Sequence, residues 1–277
     1  MFSVNELGPL PDFYPPNCQV IRDTDPLLAI LTPVALRYSD LLISRLRDQK
    51  VEIDLCKWIH FMSFDVMGEL SFGETFNCLR NAENHEWVAT VFKGVKFATI
   101  ITALHHFPPM FTLFKACTPA FVHEMAQRSF TYTRKAIDRR IASKSERPDF
   151  LKYMLENNYP GGMSRDEIDS TSAFLVLAGS DTTALTLSTA IYLSLQNPHV
   201  MEKLQKEVRA TFNHESKEIT IGSASELPFM HAVLQESMRI HTPSSVSVPR
   251  EVNRPDVKVC GLHIPQGASS LSLEETL

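Results

Sequence analysis

The sequence lacks the features that announce the simplest function classes. Its five cysteines, Cys18, Cys56, Cys78, Cys117 and Cys260, stand far apart with no Cys-x-x-Cys pair. Neither a disulfide framework nor a zinc site is indicated, and a reducing compartment fits best. Positive charge is not in excess: Lys and Arg number 27 against 32 Asp and Glu, for a net charge of -5. The basic residues are scattered rather than striped, which leaves no electrostatic footprint for nucleic acid. Met1 to Asn17 contains no basic stretch followed by an apolar one, so it reads as neither a signal peptide nor a membrane anchor, and the chain is expected to be soluble. Internal repeats and low-complexity tracts are lacking as well.

What is present is apolar mass, 44% of 277 residues, ample for the core of one large domain or two. Most of it recurs with helical spacing. Residues 1–33 are proline-rich and read as irregular, with at most one helical turn after Asp25-Pro26. Helices are expected from Val34 to about Gln49, from Leu55 to Leu70 with Ser71-Phe72-Gly73 as the stop, and from Glu86 to Leu104 before Pro108-Pro109. Thr118 and Pro119 open another to about Ser143, whose charged second half (Arg134, Lys135, Asp138, Arg139, Arg140) reads as a solvated face. A short helix fits Asp149 to Asn157. Asn197 and Pro198 start a helix whose Val200, Leu204, Val208 and Phe212 recur every four residues, and after a polar loop to Glu226 another runs from Pro228 to Ile240. Short strands are expected at Val246 to Val248, Val257 to Cys260 and Leu262 to Ile264. Ala268 to Leu277 has no compelling place in either pattern. The fold class is mainly α with a small β component.

One segment dominates. Ser164 precedes Glu167 by three residues, a capping box, and Pro198 forbids continuation past Asn197. A helix between them is about 48 Å long. Its middle breaks local rules: Gly179 costs about 1 kcal/mol relative to alanine, and Asp181, set among Leu175, Val176, Leu177, Ala184 and Leu185, needs a partner or water if buried. Such violations mark function, although hydroxyls that only bond back to helix carbonyls are the plain alternative. A transmembrane span is permitted by length, but the central acid and the missing aromatic and basic belts argue against it.

Downstream, Glu236 and Arg239 share a helix face in Leu234-Gln235-Glu236-Ser237-Met238-Arg239, followed by Val248-Pro249-Arg250 and by Val259-Cys260-Gly261-Leu262-His263-Ile264-Pro265-Gln266-Gly267. In this order and spacing these stretches resemble the cytochrome P-450 family, the haem-thiolate monooxygenases. Ala178-Gly179-Ser180-Asp181-Thr182-Thr183 is similar to that family's oxygen-binding motif, and Glu236 with Arg239 to its Glu-x-x-Arg motif. Phe64 to Gly73 and Pro148-Asp149-Phe150-Leu151 resemble fungal members acting on secondary metabolites. The resemblance runs from about Leu36 to Gly267 and implies a partial P-450 domain over 34–267, an N-terminal remnant at 1–33 and an atypical tail at 268–277.

The resemblance implies roles. Gly179, with Ala178, would leave room beside haem for dioxygen, Thr182 would hydrogen-bond the oxygen, and Asp181 would help deliver protons. Arg250 matches an arginine that pairs with a haem propionate. Glu236 and Arg239 would be structural, in a buried network. Partners in the family are a small organic substrate and a reductase, at the endoplasmic reticulum membrane. Several departures set this chain apart. The family's thiolate lies in a Phe-x-x-Gly-x-Arg-x-Cys-x-Gly loop, whereas Asn253, Asp256 and Lys258 stand where Cys260 would need Phe, Gly and Arg, so Cys260 reads as a strand residue. Neither Trp58 nor Trp87 falls in the family's Trp-x-x-x-Arg haem contact. The expectation is a truncated, inactive homologue that does not bind haem, lacks an anchor and stays in the cytoplasm. The alternatives are an incomplete gene model of a working hydroxylase and a non-catalytic binding protein.

Overall fold

Helices account for most of the order, and local caps explain where they begin. The computed structural model describes residues 26–91, 94, 104, 107, 120–156, 158, 162–212, 219–244, 250–252, 254, 255, 257–259 and 262–270. In chain order the helices are α1 (Pro26–Arg47), α2 (Leu55–Phe72), α3 (Cys78–Asn81), α4 (Ala120–Ala142), α5 (Phe150–Glu156), α6 (Arg165–Gln196), α7 (Pro198–Thr211), α8 (Ile221–Ser225) and α9 (Pro228–Ile240). Residues 86–91 are helical as well. Two antiparallel strand pairs follow: β1 (Arg250–Glu251) with β4 (Ser269–Ser270), and β2 (Val257–Val259) with β3 (Leu262–Ile264), the latter in the register Val257 opposite Ile264. The fold is mainly helical, as the periodicity predicts.

Asp54 caps α2 by accepting from Lys57 N at 3.1 Å, and Gly73 ends it at φ 71, donating its N–H to Glu69 O, the left-handed stop for which glycine is suited. At the head of α6 the predicted capping box forms: Glu167 N donates to Ser164 Oγ at 3.3 Å and Ser164 N to Glu167 Oε2 at 2.7 Å. Asp149 caps α5 through Lys152 N at 2.7 Å.

Four expectations are corrected. Residues 26–33 belong to α1 rather than to irregular chain, and Pro33 sits inside that helix on its exposed side. Burial of Val34 and Tyr38 on the other side outweighs the backbone hydrogen bond that a proline removes. The polar stretch before Glu226 contains α8, which Thr220 and Ser223 hold by a reciprocal cap and which is too short for periodicity to reveal. Ser269 and Ser270, placed in a patternless tail, pair with β1; two-residue strands carry no alternation to read. The charged half of α4 is not simply a solvated face, because Arg140 is nearly buried and binds Asp149. Asn197 stands at the predicted cap position of α7, but its side chain donates back to Leu193 O at 2.8 Å instead. Thr118 and Pro119, most of the helix expected to Leu104, Val246 to Val248 and Cys260 lie outside the described residues.

The core lies where α2 runs along α6, with α1, α4 and α5 closing around α2. Phe61, Phe64, Leu70, Phe72, Ile137 and Val176 fill it. Trp87 stacks on Phe76 at 5.3 Å and meets Phe72 edge-on at 5.6 Å, favoured aromatic geometries. Buried carboxylates staple the layers together. Glu69 receives Arg37, Tyr38 and Arg147. Asp65 accepts from Cys78 N at 3.0 Å and Leu79 N at 2.9 Å, anchoring α3, and burial pushes its carboxyl up against the pull of those bonds. Asp149, fully buried, takes Arg140 Nε at 2.6 Å. Asp169, also fully buried, takes Arg165 Nε at 2.7 Å.

Candidate functional site

Residues 178–183 sit at the centre of α6, and α2 organises them. His60, Ser63 and Met67 are spaced i, i+3 and i+7 on α2, so they form one stripe. Each meets a different motif residue. Met67 fills the space beside Gly179: a Cβ there would lie 2.6 Å from Met67 Cε and 2.8 Å from its sulfur. Ser180, fully buried, directs Oγ to Ser63 O at 3.3 Å and to Val176 O of its own helix at 2.6 Å. His60 Nε2 lies 3.2 Å from Asp181 Oδ1, while its Nδ1 lies 2.9 Å from Cys56 O.

This geometry bears on three motif residues. Met67 lies against Gly179, so a packing reading of the glycine stands beside the ligand reading. Asp181 is not buried among leucines: its side chain is 51% exposed and paired with His60. Two residues from Ser180, and so turned about 200° around the helix axis from the α2 seam, Thr182 donates to Ala178 O at 2.8 Å, the back-bonding that is the plain reading of a helical threonine. Ala178 and Thr182 are partly exposed on that far side.

Glu236 and Arg239 do pair on α9, Arg239 Nη2 to Oε1 and Nε to Oε2, both at 2.7 Å. They are 45% and 50% exposed, however, so among the described residues the pair is a surface one and not the expected buried network. The guanidinium holds the Glu236 carboxyl below the usual carboxylate range. α9 packs on α6, where His241 Nδ1 and Thr189 Oγ1 stand 3.4 Å apart. Arg250 lies in β1, which places its backbone; its side chain is outside the described residues.

The donor set decides whether haem fits. The far side of α6 offers small residues and a hydroxyl, compatible with one wall of a haem pocket. A thiolate is another matter. Cys78 is buried, accepts His85 N at 3.4 Å, and has its thiol pushed up to about 11 by burial, which keeps it protonated at neutral pH. Cys56 is exposed on α2, on the stripe that faces α6 rather than on the far side. Neither described cysteine fits as an axial ligand, and no group of three or more metal-ligating side chains occurs among the described residues. By length and composition α6 is also the one helix among the described residues able to cross a membrane, with 28% of its most apolar window buried.

His60 is the residue that sequence motifs miss. The only signal for it is the helical spacing that puts it in register with Ser63 and Met67, and that spacing gains meaning only once α6 is known to lie against the same stripe.

Comparison with known proteins matches this arrangement to one family. The profile described as Cytochrome P450 matches residues 25–271. Cytochrome P450 monooxygenase lcsI of Purpureocillium lilacinum is 38% identical over 238 residues, covering 84% of this chain and 46% of that protein. Averantin hydroxylase of Dothistroma septosporum is 35% identical over 240 residues, covering 86% and 45%. A crystal structure of the cytochrome P450DA heme domain superposes with a TM-score of 0.69 at 18% identity, covering 89% of this chain and 53% of that one; at that identity it supports the fold alone. The chain spans about half the length of the curated relatives it matches, and it belongs to the cytochrome P450 family.

Proposed function

We propose that the chain carries the oxygen-activating wall of a fungal-type P450 monooxygenase acting on a small organic substrate with electrons from a reductase. The observation that carries this is the intact 178–183 motif at the centre of α6, with Asp181 half-exposed and held by His60. In this proposal Asp181 would move protons and Thr182, whose hydroxyl now donates to Ala178 O, would offer that hydroxyl as a hydrogen-bond donor in oxygen activation. Ala178 and Arg250 would contact haem. Gly179 contacts it only if Met67 gives way. Glu236 and Arg239 brace the structure from α9. Haem, when bound through a cysteine thiolate, supplies the chemistry that cleaves dioxygen.

The 277 residues alone do not sustain turnover in this proposal. None of the five cysteines lies in the Phe-x-x-Gly-x-Arg-x-Cys-x-Gly pattern, and neither described cysteine suits thiolate ligation. Expressing the chain with added haem and recording the reduced, carbon-monoxide-bound spectrum tests this. No thiolate-type Soret band is expected, and its appearance would overturn the inactivity. Because the relatives are about twice as long, transcript sequencing provides the second arm: a continuing frame with the cysteine loop would reassign these residues to half of an active hydroxylase.

A further inference from the structure

The way His60 is held limits what the His60–Asp181 pair can do. Cys56 O, 2.9 Å from Nδ1, can only accept, so Nδ1 carries a proton in the neutral ring as well as in the charged one. Nε2 is thereby left to face Asp181 Oδ1 at 3.2 Å, with room for one proton between them. That proton sits either on the ring, giving imidazolium and carboxylate, or on the carboxyl, giving neutral imidazole and acid. The ring is 31% exposed, so it also reaches solvent.

No other described ion pair competes for the ring. On α2, Lys57 lies over the Phe61 ring, 5.4 Å from its centroid. From α1, Arg37 goes to Glu69. On α9, which packs on the other side of α6, Glu236 and Arg239 engage each other and His241 faces Thr189. Asp181 is the charged group that α6 presents to His60.

We propose that His60 is a positioning residue that aims the Asp181 carboxyl and returns its proton. In the return step the Nε2–H bond breaks, its electron pair staying on nitrogen, and an Oδ1–H bond forms; the ring then takes its next proton from water. The role rests on reading Asp181 as the acid of oxygen activation, but the shared proton does not depend on haem and can be observed without it.

Nitrogen-15 NMR of the histidine rings and carbon-13 NMR of the aspartate carboxyls, in the 277-residue chain, test the proposal between about pH 5 and about pH 8. The expected result is an Nδ1–H tautomer for neutral His60, with the Nε2 and Asp181 carboxyl signals each responding to substitution of the other residue. Asp181→Asn should change the Nε2 signal while keeping the Nδ1–H signature, and His60→Gln should alter the carboxyl curve of Asp181 and of no other aspartate. An Nε2–H tautomer, or an Asp181 curve indifferent to His60→Gln, overturns the proposal. A negative carbon-monoxide spectrum with the NMR signature intact counts against catalysis by the chain and leaves the shared proton standing, so the two readings fail separately.

Discussion

Charge is handled in opposite ways at the two ends of the path from the head of α6 to its motif. Near the head, where α4 and α5 meet α6, Asp149 and Asp169 are fully buried and each is gripped by an arginine at 2.6 and 2.7 Å. Arg165 also reaches Asp138 at 2.7 Å, and Arg134 approaches Asp169 at 3.8 Å. At the motif, Asp181 has one histidine and half its surface in solvent, and the Glu236–Arg239 pair on α9 is just as open. Buried ions left unpaired are costly, so they fix how elements dock. Exposed pairs are worth little, and their groups stay free to change partner or protonation. The head of α6 is built to hold the fold, and its middle is built to remain adjustable.

Substitutions can break that contrast, and the largest effect belongs to the buried end. Arg140→Ala leaves the Asp149 carboxylate without its guanidinium and should cost about 3–5 kcal/mol in urea unfolding. A loss under about 1 kcal/mol would mean that Asp149 is solvated and the contrast false. Burial of Cys78 predicts a pH effect. Its thiol rises from 9.0 to about 11 on folding, so the stabilisation is complete below the unfolded value and is lost as pH rises through the folded one, about 3 kcal/mol in all. Cys78→Ala should flatten that stretch of the stability curve relative to the parent, and parallel curves would refute it. Gly179→Val puts methyl groups into Met67 and should destabilise by about 1–3 kcal/mol. In the Met67→Ala background the same substitution should cost much less; an equal cost would locate the strain elsewhere. Glu236→Ala comes last, moving the urea midpoint by a small fraction of the Arg140→Ala shift. A shift of equal size would restore the buried network that the motif alone suggests.

Much of the architecture is legible in the sequence alone. The capping box at Ser164, the stop at Pro198 and the start at Pro228 are local chemistry, and the helices form where those residues place them. The motifs were legible too, because their residue types and spacing are unusual. What stayed hidden depended on distant partners. Arg140 looks like any charge on a solvated face until Asp149 is folded beneath it, and Gly179 looks like a vacancy for a ligand until Met67 arrives from α2. His60 carries no motif of its own. Ser269 and Ser270 become a strand only because Arg250 and Glu251 lie beside them.

The sequence by itself determined most of the segments that become helices, the family to which they belong and the presence of an acid and a threonine at the centre of the longest one, since caps, prolines and periodicity act within a few residues. Only the tertiary structure decided that Asp181 is half-exposed and held by His60, that Met67 lies against Gly179, and that Glu236–Arg239 lies at the surface of the described residues. Burial and pairing depend on groups brought together from far along the chain: His60 and Asp181 stand 121 positions apart, a separation that no local pattern encodes.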